Sequence, residues 1–159
     1  MKTAVVFYSL DGNCALVAEK IKTQLNADIL RLYTTKEKKR SFIGKLFWGC
    51  GMVFFKKKPP LKPYSFDSAA YDLVIIGAPV WADSPAPPVH TFICETGITG
   101  KKIALFLCHA GGKGSSMEKF KTLLGGNDII AEIDFNNPGK NYSEETKQQI
   151  EDWAKGIKI

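Results

Sequence analysis

Three short runs of almost unbroken apolar residues govern what this chain can fold into: Ala4 to Ser9, Leu73 to Ala78 and Ile103 to Cys108. Each ends at small or turn-forming residues, and none shows the polar–apolar alternation of a strand with one wet face. A strand that is apolar on both sides is buried on both sides, so the three belong in the interior of a parallel sheet covered above and below. Two further segments do alternate. Asp28 to Tyr33 sets Arg31 between Leu30 and Leu32, and Ala131, Ile133 and Phe135 are interleaved with Glu132 and Asp134. Partial exposure places those two at the edges.

Helical spacing fills the intervals. Cys14, Val17, Ala18, Ile21 and Leu25 form one apolar stripe opposite Glu19, Lys20 and Lys22. Pro87 and Pro88 suit the first turn of a second helix, which continues through Val89, Phe92 and Ile93. Ser115-x-x-Glu118 reads as a capping box ahead of Phe120, Leu123 and Leu124, with Gly125-Gly126 as the stop. Ser143, Glu144 and Glu145 open a last helix whose Thr146, Ile150, Trp153 and Ile157 share a face. The element order is then β-α-β-insertion-β-α-β-α-β-α, and right-handed crossovers leave few ways to arrange it. With the first, third and fourth strands inside, the expectation is an α/β fold: a three-layer, doubly wound, five-stranded parallel sheet of order 2-1-3-4-5. Such sheets bind ligands outside the carboxyl ends of the strands where the winding reverses, here after the first and third. The loops beginning at Ser9, Ala78 and Cys108 are therefore where chemistry is expected.

A chain of 159 residues with 45% hydrophobic and 24% charged residues fits one folded domain over 1–159 and excludes wholesale disorder. No apolar stretch nears the roughly 18 residues needed to cross a bilayer, and Met1-Lys2-Thr3 leads into a strand with no signal-peptide pattern, so a cytoplasmic location is expected. Cys14, Cys50, Cys94 and Cys108 form no CxxC pair and are expected as free thiols. The net charge of +6 is unevenly spread: Thr34 to Pro63 holds nine lysines and arginines against Glu37 alone, while the remainder has thirteen basic against fifteen acidic residues. A slightly acidic domain thus carries one basic insertion, 36–64. That insertion also holds Phe42, Trp48, Phe54 and Phe55, which is unlike a flexible linker and predicts that it folds back on the domain.

The first loop, Ser9-Leu10-Asp11-Gly12-Asn13-Cys14, joins a buried strand to a helix N-terminus. It offers a hydroxyl and backbone N–H groups to an anion, most naturally a phosphate, against the alternative of a plain turn capped by Asp11 or Asn13. The second, Gly77 to Pro85, places Trp81 in a Pro-stiffened loop, where its face calls for a planar ligand or for the insertion as cover. In the third, Cys108-His109-Ala110-Gly111-Gly112-Lys113-Gly114-Ser115, three glycines allow backbone to approach a flat ligand edge, unless the loop is simply floppy. Gly112-Lys113 does not make a nucleotide P-loop, because Leu107 stands where its leading glycine belongs and Gly114 follows the lysine; no GxGxxG occurs either. His90 and Cys94 lie four apart on a helix without a third metal ligand. The Lys56-Lys57-Lys58 run is either a solvated face or, with Trp48, Phe54 and Phe55, a surface for anionic lipid or an acidic redox partner.

The strings VVFYSLDGNCALVAEKI, YDLVIIGAPVWADSPAPPVHTFI and KKIALFLCHAGGKGSSMEKF resemble the three FMN-binding segments of the flavodoxin family, particularly its short bacterial flavodoxin-like members. The stretch around Trp48-Gly49-Cys50-Gly51, ahead of Pro59, is similar to an insertion of that subgroup. Nearly the whole chain is covered. The resemblance implies that Ser9, Gly12, Asn13 and Cys14 surround an FMN phosphate, with Asp11 in the same loop. It implies that Pro79, Val80, Trp81 and Ala82 flank the isoalloxazine ring, and that Cys108, His109, Ala110, Gly111, Gly112 and Gly114 border its other side. Two positions depart from the pattern, since the family places Ser or Thr where Asp11 and Cys14 stand. Losing one neutral hydrogen bond costs about 0.5–1.5 kcal/mol, roughly 2- to 12-fold in affinity, which weakens a tight site without abolishing it. His109 is read as a donor to the ring or a proton shuttle, or as an ordinary loop histidine. The function so implied is a flavoprotein of electron transport that moves electrons between partner proteins, those of acidic surface meeting the basic segment 36–62. An NAD(P)H-dependent, FMN-containing quinone oxidoreductase and a flavin-free interaction module are the alternatives. Nucleic acid is disfavoured because no recognisable reading element accompanies the lysines.

Overall fold

Tyr8 of the first apolar run is fully buried, and so are the residues on both sides of it in the chain, as a strand in the middle of a covered sheet requires. The computed structural model describes residues 2–35 and 58–158, so most of the basic insertion, Trp48 and the Lys56-Lys57 pair among it, lies outside the described residues. Among the described residues the elements follow in the order β1 (Thr3–Tyr8), α1 (Asn13–Leu25), β2 (Asp28–Leu32), a 3-10 turn (Ser68–Ala70), β3 (Leu73–Trp81), β4 (Ser84–Pro85), α2 (Pro87–Thr96), β5 (Lys102–His109), α3 (Ser116–Leu123), β6 (Asp128–Asn136) and α4 (Glu144–Gly156). The five long strands lie in the order β2-β1-β3-β5-β6, every neighbouring pair parallel. This is the 2-1-3-4-5 arrangement that the apolar runs predict, with the alternating segments at the edges.

Successive strand residues point to opposite faces, and here both faces are covered. Val6, Val74, Ile76, Leu105 and Leu107 pack with Val89 and Phe92 of α2 and Phe120 of α3. Val5, Phe7, Ile75 and Phe106 pack with Val17 and Ile21 of α1 and Ile150 and Ala154 of α4. Each fully buried aliphatic or aromatic side chain contributes about 1.5–3 kcal/mol relative to exposure. At Gly77 the Phe106 ring fills the space a Cβ would take, so the strand crossing at the sheet's centre needs glycine there.

Two local expectations are corrected. The strand ending at Ala78 in the sequence reading runs on to Trp81 and folds into a hairpin, with Val80 opposite Pro85 and Trp81 opposite Ser84. Its two-residue turn is Ala82-Asp83, both at positive φ (44° and 58°). Such turns favour Asn-Gly or Asp-Gly, so Ala-Asp gives no local signal of one. The capping box at Ser115 does not form either. Ser115 sits at φ −88°, ψ 8°, closes no turn with its own side chain and turns its hydroxyl to Asp83, while Glu118 pairs with Lys121. The cap at Ser143 does form: its hydroxyl accepts from the Thr146 N–H at 3.2 Å.

The described end of the insertion, 58–64, packs on the domain, while the aromatic residues Phe42, Trp48, Phe54 and Phe55 lie outside the described residues. Leu61 bridges Thr34, the Pro59 carbonyl accepts from the Thr91 hydroxyl at 3.0 Å, and the Tyr64 ring lies 5.7 Å from Phe92. Among the described residues no helix is long and apolar enough to cross a membrane.

Candidate functional site

Because β1, β3 and β5 are adjacent and parallel, the loops that leave them emerge at one edge of the sheet. The first loop turns at Gly12, whose φ of 88° is left-handed and costs glycine little. Gly12 is the N-cap of α1 and brings no capping side chain. The buried Ser9 hydroxyl accepts from the Ala15 N–H at 3.2 Å, and the Ser9 carbonyl accepts from the Arg31 guanidinium at 2.9 Å. Asn13 does not cap its own helix: its side-chain oxygen accepts from the Gly139 N–H at 2.8 Å, tying this loop to the one after β6. Asp11 is exposed. The Cys14 thiol is buried, and burial first, then the Cys108 sulfur beside it, push it well above the usual thiol range. It therefore stays a neutral filler beneath the loop, and what Cys14 offers above is its backbone N–H.

In the second loop Pro79, Val80 and Trp81 are half-buried and Ala82 is exposed. Pro79 stands beside Cys108 in the sheet register. The Trp81 ring meets Tyr8 of β1 edge-on, with centroids 5.6 Å apart and planes at 90°. This is a favourable aromatic arrangement that joins the second loop to the strand beneath the first.

The third loop is held by a cluster that the sequence reading did not contain. The His109 side chain is 9% exposed, and both of its ring nitrogens are engaged. Nδ1 accepts from the Gly112 N–H at 3.0 Å, and Nε2 lies 2.9 Å from Asp134 Oδ2, so the proton belongs on Nε2. Lys113 Nζ reaches the other Asp134 oxygen at 2.6 Å. Burial pushes the Asp134 carboxyl up, but the Lys113 ammonium and the His109 N–H outweigh it and hold it below the usual range. Through these bonds His109 holds the third loop against β6. The loop is not floppy at this end: Gly112 at φ 112° makes the turn that returns its N–H to the imidazole. A Cβ built on Gly12, Gly111 or Gly112 meets nothing within 4 Å, so these turns border open space.

Asp83 ties the second loop to the third. Its carboxylate accepts from the Ser115 N–H at 2.8 Å and the Ser115 hydroxyl at 2.6 Å, and stands 3.2 Å from Lys119 Nζ. No motif marked Arg31, Asp83 or Asp134. Asp83 is one more acid in the second loop, and Arg31 and Asp134 are ordinary charged residues of the edge strands β2 and β6, so none leaves a local signal of its role. A cleft of about 690 Å³ lies elsewhere, lined by residues 61–64, 66–68, Glu95 and Thr96 at the far end of α2. Among the described residues no group of three His, Cys, Asp or Glu could hold a metal ion. The loop cluster thus offers a hydroxyl and N–H groups at a helix N-terminus, an aromatic ring and an open glycine turn, which suit a flat molecule with an anionic end.

No protein-family profile matches the sequence, and no curated protein matches it. Solved structures do. An FMN complex of a flavoprotein from Lactobacillus acidophilus NCFM is 21% identical, with a TM-score of 0.75 over 89% of this chain and 97% of that one. Oxidised flavodoxin 2 from Bacillus cereus is 18% identical, with a TM-score of 0.62 over 99% and 97%. The two-electron reduced flavodoxin of Megasphaera elsdenii is 19% identical, with a TM-score of 0.60 over 97% and 99%. The chain therefore has the flavodoxin-like fold.

Proposed function

We propose that this protein binds one FMN non-covalently and carries electrons between partner proteins. The observation that carries the reading is the convergence of the three loops, with Ser9 and the start of α1, where Gly12 brings no side chain, at one end and Trp81 and the open Gly111-Gly112 turn at the other. That spread of donors and aromatic surface suits a phosphate joined by a flexible chain to a flat tricyclic ring. When bound, FMN supplies the redox chemistry, and the chain's residues hold it and set its potentials. Ser9, Gly12, Asn13 and the Cys14 N–H hold the phosphate, with the exposed Asp11 carboxylate weakening that grip. Pro79, Val80, Trp81 and Ala82 flank the ring, and the backbone from Cys108 through His109, Ala110, Gly111 and Gly112 to Gly114 borders its polar edge. The excess of lysine in 36–62 favours a partner of acidic surface.

The test is a visible absorption spectrum of the purified protein, followed by FMN titration of the apoprotein. Flavin bands and saturable 1:1 uptake are expected, and a colourless protein that takes up no FMN overturns the reading. Steady-state NADPH oxidation with a quinone then separates carrier from reductase. A carrier turns over only when a flavodoxin reductase is added, and rapid turnover without one defeats the carrier assignment.

A further inference from the structure

We propose that Asp83 is a positioning residue: it latches the hairpin carrying Trp81 onto the head of α3 and so sets the spacing between two walls of the site. Three observations meet at this side chain. The hairpin turn that presents it is unfavourable on its own, since Ala82 and Asp83 both adopt left-handed backbone conformations without glycine. Something beyond the turn must hold it. Next, α3 lacks a side-chain cap from its own N-cap residue, Ser115, and the Asp83 carboxylate instead holds that residue, accepting from the Ser115 N–H and hydroxyl and setting a negative charge at the helix N-terminus. Lys119, one turn into the helix, donates to the Asp83 carbonyl at 2.6 Å and reaches its carboxylate as well. Finally, Gly114 stands at φ 50°, and the Asp83 carboxylate fills the space its Cβ would need. The glycine of the third loop and the aspartate of the second are therefore fitted to each other.

These bonds are charge-assisted, and together they outweigh what an isolated exposed ion pair gives. The strain of the turn is offset only while the latch is closed. Opening it frees the hairpin, and Trp81 with it, from the Gly111–Ser115 side. What occupies the space between the walls rests on the FMN reading above, whereas the latch itself is a property of the apoprotein.

The experiment uses the full chain with Asp83→Gly, Asp83→Asn and Ser115→Ala. Glycine removes the carboxylate while suiting the positive φ, so hairpin strain is not confounded with latch loss, and Asn keeps one acceptor without the charge. In FMN-free protein, amide exchange at Ser115 should quicken about tenfold in Asp83→Gly, and the Trp81 indole resonance should shift or broaden. With FMN, dissociation constants should rise about 3- to 10-fold in Asp83→Gly and less in Asp83→Asn. The second one-electron midpoint should move in the direction produced by Trp81→Ala. Unchanged Ser115 exchange and an unchanged Trp81 resonance in Asp83→Gly overturn the latch. Faster exchange with unaltered Trp81 resonance, FMN affinity and midpoint overturns the positioning role. If the parent protein takes up no FMN, the cofactor reading fails, and the exchange and indole measurements still decide for or against the latch.

Discussion

Trp81 and Gly77 act through what they touch, and each predicts a measurable change. With Tyr8 edge-on behind it, Trp81 has a fixed orientation at the half-buried end of β3. On the proposed FMN reading, aromatic contact from it would disfavour the electron-rich, fully reduced flavin, so Trp81→Ala should raise the second one-electron midpoint. At about 0.5–1.5 kcal/mol for an aromatic pair, the rise is about 20–60 mV. Potentiometric titration checks this, and an unmoved midpoint refutes it. Gly77→Ala places a methyl group in the volume of the buried Phe106 ring. Overpacking there should cost about 2 kcal/mol and lower the melting temperature by about 4–8 °C, read by calorimetry. Ser9, Gly12 and the third-loop glycines are legible in the sequence because turn chemistry is local. Asp83 and Asp134 are not, since their partners stand 32 to 36 and 21 to 25 residues away along the chain. Nothing in a local window distinguishes them from solvated acids.

Helices α3 and α4 show how the same sequence signal is satisfied differently at the scale of an element. Both begin at a serine with a glutamate nearby, yet Ser143 caps its helix and Ser115 instead donates to Asp83. Ser143→Ala should therefore lose about 1 kcal/mol and about 2–4 °C in melting temperature. Glu118→Gln should leave α3 nearly unaffected, because that exposed side chain caps nothing and only shares the partly buried Lys121 with Glu132. Equal losses in the two variants, compared by urea unfolding, would contradict this assignment. The edge strands follow the alternation of their sequences, with β2 and β6 partly exposed. β4 was hidden because its turn lacks glycine and Pro85 removes a ladder donor.

Across the whole molecule the carboxylates at the site loops tie stability to pH. Asp134 and Asp83 are both held below the usual carboxylate range, Asp134 by Lys113 and His109 against burial, and Asp83 by Ser115 and then Lys119. A depressed pKa adds stability that is complete above the unfolded-state value and is lost as pH falls through the folded-state one. The decline should therefore set in below about pH 4. Asp134→Asn should flatten that acid limb in urea midpoints measured against pH, and a variant that declines as steeply as the parent would exclude the Asp134 contribution. Architecture was readable from one dimension because burial on both faces leaves an apolar run in each strand, and handed crossovers then permit few orders. The arrangement of the site edge was decided only in three dimensions. The Asp83 bonds, the His109–Asp134–Lys113 cluster and the Tyr8–Trp81 contact join residues that are neighbours only once the parallel strands have set their carboxyl ends side by side.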